Sequence, residues 1–160
     1  MLDLAQADAI IAGANTPVSL AALAEEVVAQ MAPLAWSGRR DIRFCHAGSP
    51  VVEGHAEAIA RALRNLIENA LRHAPEDSVV TVTVGPEPLI AVRDQGPGVP
   101  PEIRQQVFNR FWRADRARSD GAGLGLGIVQ ATMAAHGGVA RIEDTEGDGA
   151  LFVLDFRQPG

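Results

Sequence analysis

The chain has 160 residues, and its fourteen basic side chains, all arginine, are outnumbered by twenty acidic ones, so the formal net charge is -6 at pH 7. Because lysine is absent and Cys45 is the single cysteine, the composition excludes a Walker-type phosphate loop, lysine-amine chemistry, internal disulfides and cysteine-cluster metal sites. The acidic balance argues against nucleic acid as a partner, and the apolar stretches are shorter than the roughly 18 residues of a membrane helix, so we expect a soluble, cytoplasmic domain.

The first part of the chain combines a helix with short strands. Residues 1–16 are interpreted either as the end of a preceding helical domain or as a native terminus that frays. Ser19 is placed to cap a helix that continues to about Met31, because apolar residues recur there at spacings of three and four. Short strands are predicted next at Ile42–His46 and Val51–Glu53.

The middle of the chain contains the clearest helical pattern. An apolar stripe predicts a long amphipathic helix over residues 55–73, which ends before Pro75 because a residue that precedes proline avoids helical backbone angles. Val79–Gly85 and Leu89–Asp94 are rich in alternating or β-branched residues. Because a short segment with two prolines and a glycine joins these two runs, they are predicted to form a hairpin.

The last part of the chain begins with a segment of weak periodicity, Gly96–Ala122. A helix is predicted from about Leu124 to His136, where two glycines end it. Two strands, Val139–Glu143 and Ala150–Phe156, complete the predicted order. Because the strands occur in pairs, the sequence favours an α+β fold with helices layered on one sheet over alternating βαβ units.

Four polar residues of the long helix share one stripe. Asn65, Glu68, Asn69 and Arg72 are separated by three or four residues, which brings them to the same side of an α-helix. One interpretation is a solvated helix face; the other is a site in which amide oxygens bind Mg²⁺ and the arginine reaches a phosphate. His73 follows directly, either beside a bound ring or as a simple cation at the helix end.

Asp94 stands where a predicted strand ends and is followed by Gly96, Pro97 and Gly98. An aspartate in this position commonly caps a turn. It is also placed to accept a hydrogen bond from an exocyclic amino group, with the two glycines giving a flat ring access to the backbone. Both interpretations remain open at the level of the sequence.

Four glycines alternate with other residues at Gly121, Gly123, Gly125 and Gly127, directly before a predicted helix. Their spacing matches neither the dinucleotide-binding fingerprint nor the glycine loop of protein kinases. Exposed amides at a helix N-terminus suit an anion such as a triphosphate. The alternative is a hinge or tight packing of the helix on a sheet.

The segment between these glycines and Asp94 is basic and aromatic. Five of the fourteen arginines and three of the seven aromatic residues lie within residues 104–118. Binding of single-stranded nucleic acid by stacking is one interpretation, which the acidic remainder of the chain opposes. A lid that closes over phosphates explains both the charge and the weak periodicity.

The remaining titratable residues show no ligand pattern. His46, His55 and His136 lack the spacing of metal ligands and are interpreted as surface or helix-end residues. Cys45 is expected to be a small hydrophobic residue of the core.

The order of these segments is more specific than any one of them. The run Asn-Leu-Ile-Glu-Asn-Ala-Leu-Arg-His is followed by Asp-Gln-Gly-Pro-Gly-Val, then by Phe-Asn-Arg-Phe-Trp-Arg, then by Gly-Ala-Gly-Leu-Gly-Leu-Gly-Ile-Val. This order resembles the N box, first glycine box, F box and second glycine box of the catalytic, ATP-binding domain of bacterial two-component sensor histidine kinases. The resemblance covers residues 18–157, and Gly127 departs from the alanine that is common at its position.

The resemblance implies a Bergerat-type two-layer α/β sandwich, in which helices cover one face of a mixed sheet and a lid closes over ATP. Residues 17–160 would form this domain, and residues 1–16 would be a remnant of the helical dimerisation and phosphoacceptor domain. The γ-phosphoryl group of Mg-ATP would pass to a histidine on that separate domain and then to a response regulator. The resemblance implies that the acceptor histidine is absent from this chain. This domain is expected to be monomeric. The parent protein could be anchored in the inner membrane.

The resemblance also implies residue roles. Asn69 would hold Mg²⁺ with Asn65 nearby, Glu68 would assist the transfer, and Asp94 would accept the adenine amino group. Arg72 and the glycine box would contact phosphates. The nucleotide-binding residues implied in this way are Asn65, Asn69, Arg72, His73, Asp94, Gly96, Gly98, Val99, Phe108, Arg110, Phe111, Arg113, Gly121, Gly123, Leu124, Gly125 and Leu126.

Two other functions remain open. One is a regulatory module that binds ATP without transferring phosphate. The other is a related ATPase of the gyrase or Hsp90 type or a related serine kinase. The ATPase is disfavoured because those enzymes generally carry a glutamate where Asn65 stands and lack the Phe-x-Arg-Phe lid.

Overall fold

A computed structural model of the chain describes residues 15–96, 122–143, 145 and 149–157. Three helices and seven strands occur in the described residues, in the mixed order that the sequence predicts. In chain order they are β1 (Thr16–Ser19), α1 (Leu20–Ser37), β2 (Asp41–His46), β3 (Val51–Gly54), α2 (Ala56–His73), β4 (Val79–Val84), β5 (Leu89–Arg93), α3 (Ala122–Ala135), β6 (Val139–Glu143) and β7 (Leu151–Asp155).

Five of the strands form one mixed sheet in the order β2-β4-β5-β7-β6. β2 runs parallel to β4, whereas β4 and β5 form the predicted antiparallel hairpin and the other neighbours are also antiparallel. A row of apolar partners crosses the sheet, because Val82 pairs with Val92, Val92 with Phe152 and Phe152 with Ile142. β1 and β3 form a separate antiparallel pair, with Thr16 opposite Gly54.

The helices lie on one face of this sheet. In β4, Val80, Val82 and Val84 are buried whereas Thr81 and Thr83 between them are not, which is the alternation of a strand with one covered face. Buried residues from all three helices and from this face form one hydrophobic cluster. The expected two-layer α+β arrangement is therefore confirmed.

The predicted apolar stripe of the long helix is also confirmed. α2 buries Ile59, Leu63, Leu66, Ile67 and Ala70 completely. Residues three and four apart lie on one side of a helix, and this stripe is the side that α2 turns towards the sheet and its neighbouring helices.

Three details differ from the sequence predictions. α1 begins at the expected cap, with the Ala22 amide donating to Ser19 Oγ at 3.3 Å, but continues past Pro33 because Ala35 is buried in the core. β1 was not predicted, since its partner strand lies more than thirty residues away. Cys45 is exposed rather than buried, because β2 is an edge strand and this residue alternates with the inward-facing Phe44.

Two histidines connect the ends of α2 and α3, which agrees with their interpretation as helix-end residues. His55 caps α2, since its Nδ1 accepts the Ala58 amide at 3.3 Å. His136 Nε2 accepts the His55 amide at 3.1 Å, so the proton of this ring is on Nδ1, which donates to the Thr132 carbonyl at 2.7 Å. The end of α3 is thereby bonded to the beginning of α2.

An ion cluster holds the far end of β7. Asp155 is 5% exposed and accepts hydrogen bonds from Arg141 Nη1 at 2.7 Å and Arg157 Nη2 at 2.9 Å. Each arginine also pairs with a second acid, Arg141 with Glu143 and Arg157 with Glu87. The hydrogen bonds from Arg157 lead the causes that hold the pKa of Asp155 well below its usual range, with burial opposing them and Arg141 adding to them.

Replacing this carboxylate tests the ion cluster. We expect Asp155→Asn to lower the free energy of unfolding at pH 7 by about 2 kcal/mol, because both guanidiniums lose a charged acceptor. The folded-state pKa lies below the unfolded value of about 3.9, so the stabilisation is complete above that pH and is lost as the pH falls. Urea unfolding should therefore show the difference between the two proteins shrinking from pH 7 to pH 3.

Asp77→Asn is the matched control, because Asp77 is 74% exposed and its pair with Arg39 spans 3.7 Å. Such an exposed pair contributes little to stability. An equal loss of stability in both variants, or a loss in Asp155→Asn that does not depend on pH, would contradict the role of the cluster.

Candidate functional site

Asp94 directly follows β5 and is a charged residue in a buried position. It is 3% exposed, and its Oδ1 accepts two backbone hydrogen bonds, from Gly96 at 2.9 Å and from Ala150 at 3.2 Å. Burial raises the pKa of this carboxyl above its ordinary value, whereas the amides of Gly96 and Ala150 and the charge of His73 act in the opposite direction. The two backbone amides thus offset part of the cost of burying this charged carboxylate.

The two carboxylate oxygens of Asp94 differ in their hydrogen-bonding partners. Within the described part of the chain, both hydrogen bonds to this side chain end on Oδ1. Among the described residues, Oδ2 is therefore the oxygen of this carboxylate that is left to accept a further donor. An ionised carboxylate only accepts hydrogen bonds, so the chemistry offered here is recognition of an N–H or O–H group.

The loop after Asp94 lies against the end of α2. A Cβ on Gly96 would come within 2.6 Å of the His73 carbonyl oxygen, a distance that side chains do not tolerate. The sequence interpretation was that this glycine gives a flat ring access to the backbone. That interpretation stays a prediction; the structure adds that Gly96 lies against the last turn of α2, and this close approach brings Asp94 to the helix that carries the asparagine stripe.

The predicted polar stripe of α2 is not uniformly exposed. Asn69 is 6% exposed, Asn65, Arg72 and His73 are half-buried, and Glu68 is exposed. None of the hydrogen bonds among the described residues involves the Asn69 side chain. Although the residue is largely buried, its side-chain amide takes no part in these hydrogen bonds, so Asn69 is a candidate for binding a ligand atom.

The glycine-rich segment is brought to the same region by the packing of α3 on α2. His136 and His55 place the end of α3 beside the beginning of α2, and the two helices are in contact, so they run in opposite directions. The 14 residues of α3 span about 21 Å, which places its first turn level with the part of α2 around Asn69. Gly123, Leu124 and Gly125 lie in these first turns.

Of the other residues predicted to bind the nucleotide, one is buried in the core and several lie outside the described residues. Leu126 is 5% exposed and belongs to the hydrophobic core, so its side chain packs inside the domain. Seven predicted residues lie outside the described residues: Gly98, Val99, Phe108, Arg110, Phe111, Arg113 and Gly121.

Two residues of this site were missed by the sequence predictions. Gly149 and Ala150 precede β7, and Ala150 bonds to Asp94 through its amide, at a separation of 56 residues. The sequence signal was the glycine before a predicted strand, which indicates a turn but not its partner. A contact between backbone and side chain over this separation leaves no local pattern.

The described residues contain neither a cluster of three His, Cys, Asp or Glu side chains suited to a metal nor a helix long and apolar enough to cross a membrane. Among the described residues, the neutral amide of Asn69 remains a candidate ligand for a cation.

Comparison with known proteins agrees with this architecture. The family described as "Histidine kinase-, DNA gyrase B-, and HSP90-like ATPase" matches residues 54–160. The chain is 46% identical over 99 residues to the signal transduction histidine-protein kinase/phosphatase MprB of Mycolicibacterium smegmatis, covering 59% of the chain and 20% of that protein. It is 37% identical over 142 residues to the sensor protein IrlS of Burkholderia pseudomallei, covering 85% of the chain and 30% of that protein. The chain thus spans less than a third of these relatives.

Solved structures share the fold. Full-length ShkA in complex with AMPPNP superposes with a TM-score of 0.79 at 29% identity, over 94% of this chain and 32% of that one. The ATP binding domain of PrrB from Mycobacterium tuberculosis gives 0.72 at 26% identity, over 92% and 100% of the two chains. By sequence and by fold, the chain belongs to the histidine kinase-, DNA gyrase B- and HSP90-like ATPase family, and the members that it resembles are the catalytic domains of sensor histidine kinases.

Proposed function

We propose that this domain binds Mg-ATP and transfers the γ-phosphoryl group to a histidine of a separate helical dimerisation domain, from which a response regulator receives it. The observation that carries the proposal is the buried Asp94, whose Oδ1 is held by two backbone amides and whose Oδ2 remains for a ligand. The match to the histidine kinase-like ATPases and the likeness to ShkA, whose structure contains AMPPNP, support it.

Asp94 suits adenine better than guanine. Adenine carries an exocyclic amino group, a donor, where guanine carries a carbonyl oxygen. When the base is bound with this position facing Oδ2, the carboxylate accepts a hydrogen bond from the adenine amino group and repels the guanine carbonyl oxygen. Because the carboxylate is buried, a base that left it without a donor would leave a desolvated charge unpaired, which favours adenine strongly.

Asn69 fits a role in binding Mg²⁺ together with the phosphates. Its side chain is 6% exposed and takes no part in the hydrogen bonds of the described residues, and an amide oxygen is a hard ligand that suits this cation. Asn65 lies one turn before it. When bound, Mg²⁺ would neutralise charge on the phosphate oxygens. Because Mg²⁺ commonly takes phosphate and water oxygens as ligands, few protein ligands are needed.

The phosphates would lie between α2 and the first turn of α3. Free amides and the positive end of the dipole at a helix N-terminus attract anions, and the antiparallel packing places that end of α3 near Asn69. Arg72 stands one turn along α2 from Asn69 and is half-buried. In the absence of lysine, arginine and backbone amides are the positive groups that remain for phosphate.

The acceptor histidine would come from outside this domain. His55 and His136 are bonded to backbone groups at the two helix ends, and His46 is exposed on the edge strand with its Nδ1 near the Gly48 carbonyl. Phosphoryl transfer requires little covalent chemistry from the enzyme, so the contribution of this domain is to position the phosphates and to compensate their charge. A neutral imidazole on a partner domain is a sufficient nucleophile near pH 7.

Asp94→Asn tests the recognition of the base. The amide Oδ1 still accepts the two backbone hydrogen bonds, whereas an NH₂ group replaces Oδ2 and faces the adenine amino group. We expect the Kd for ATP to rise about 100-fold by calorimetry, with the melting temperature little changed. Asp77→Asn, at an exposed position, should bind ATP like the wild type. Unchanged affinity in Asp94→Asn would remove Asp94 from the base site.

Asn69→Ala tests the cation. Because this amide has no hydrogen-bonding partner among the described residues, its removal should leave the stability of the ligand-free domain unchanged or higher. The gain in ATP affinity on adding Mg²⁺ should fall about tenfold by calorimetry with and without EDTA. Gln30→Ala, which removes an exposed amide on α1, is the control. The same Mg²⁺ dependence in Asn69→Ala and the wild type would contradict the assignment.

Labelling with γ-³²P-ATP tests the transfer. We expect no stable label in this domain alone and an acid-labile label on an added dimerisation domain, taken from the parent kinase, whose histidine is intact. The same domain with that histidine replaced by alanine is the control. Stable labelling of this chain by itself would contradict the need for an external acceptor. Binding of ATP without transfer to the intact acceptor would instead identify a regulatory module.

A further inference from the structure

The backbone at the start of β7 departs from a regular ladder beside Asp94. β5 and β7 pair regularly up to Arg93 opposite Leu151. At the next pair, the Asp94 amide donates to the Ala150 carbonyl at 3.0 Å, as a ladder requires. The Ala150 amide does not return the bond to the Asp94 carbonyl but donates to the side-chain Oδ1 at 3.2 Å. One ladder hydrogen bond has thus been redirected to the carboxylate.

Gly149 makes this redirection possible. Its φ is +119°, a conformation that residues with a side chain rarely adopt. A Cβ at this position would come within 2.1 Å of the Asp94 carbonyl oxygen and 3.3 Å of Gln95 Cα. The missing side chain therefore lets the peptide between Gly149 and Ala150 turn its N–H towards the carboxylate.

We propose that the Gly149–Ala150 peptide is a positioning element of the base site, whose amide fixes the carboxylate of Asp94 so that Oδ2 alone is presented to the amino group of the base. The inference rests on the proposed function, because it assigns Asp94 to the base. Gly96 supplies the second amide on Oδ1 at 2.9 Å, so both lone pairs of that oxygen are used. The carboxylate is then fixed from two separate chain segments, one of them local and the other 56 residues away.

The same amide also keeps the carboxylate in the charged form. Burial raises the pKa of Asp94, and the hydrogen bonds from Gly96 and Ala150 and the charge of His73 lower it. Because Oδ1 accepts two amides, the proton of a neutral carboxyl group would lie on Oδ2, which would then present a donor to the amino group of the base. The Ala150 amide therefore extends the range of acid pH over which the site can bind its base.

Ala150→Pro removes this amide and keeps the carbonyl that accepts the Asp94 amide. Because a hydrogen-bond donor to the charged form is lost, we expect the pKa of the Asp94 carboxyl, followed by ¹³C NMR in the absence of nucleotide, to rise by about one unit. The pH at which ATP binding is half lost in acid should move upwards by the same amount. Ala150→Gly retains the amide at the same position and should titrate like the wild type.

The outcomes separate this inference from the proposed function. An unchanged titration of Asp94 in Ala150→Pro, or an equal shift in Ala150→Gly, would overturn the positioning role, because a merely structural role changes stability and not the titration. If Asp94→Asn bound ATP normally while the NMR titration shifted as expected, the assignment of Asp94 to the base would be wrong, and only the fixing of its carboxylate by the Ala150 amide would stand. If Ala150→Pro failed to fold, an ester in place of the 149–150 amide, made by semisynthesis, would give the same test without the proline ring.

Discussion

A carboxylate that is 3% exposed has to be compensated by the protein, and this requirement connects three separate parts of the chain at Asp94. The loop after β5 contributes the Gly96 amide, the start of β7 contributes the Ala150 amide, and the end of α2 contributes the charge of His73. The two amide contacts require close approach of backbone, which is why a glycine, Gly96 or Gly149, stands at each of them. The proposed base site is therefore built mainly from main-chain groups, with one side chain proposed to select the ligand.

The proposed phosphate side of the site depends on the relative direction of α2 and α3. The bond between His55 and His136 is formed at the end of α2 and α3 that is distant from Asn69, and it fixes the two helices as antiparallel. That arrangement places the glycine-rich start of α3 beside the polar stripe of α2. Amides, one arginine and two asparagines are then available to a triphosphate, which agrees with a chain that has no lysine.

The sequence predicted those features that local patterns determine. The apolar stripe of α2, the hairpin of β4 and β5 and the cap at Ser19 all follow from spacing or from turn and capping residues, and all are present. The predictions were wrong where distant contacts decide the outcome. α1 continues past Pro33 because Ala35 is buried, and Cys45 is exposed because β2 lies at the sheet edge.

The candidate site shows the same division between features that follow from local sequence patterns and features that depend on distant contacts. The polar stripe around Asn69 and the position of Asp94 after a strand were visible in the sequence, as was their order along the chain. The burial of Asn69 and the two amides on Asp94 were not visible, because they arise from packing between segments. Gly149 and Ala150 were missed for this reason.

β7 is held by a carboxylate at each end, Asp94 beside its first residue and its own Asp155 at the last. Sliding the strand by one residue would remove the Ala150 amide from Asp94 and would also move Asp155 away from Arg141. The register of β7 is thus fixed at both ends by charged groups, Asp155 at one end and Asp94 of the proposed base site at the other. The ion cluster at the opposite end of β7 consequently helps to keep the second amide on Asp94.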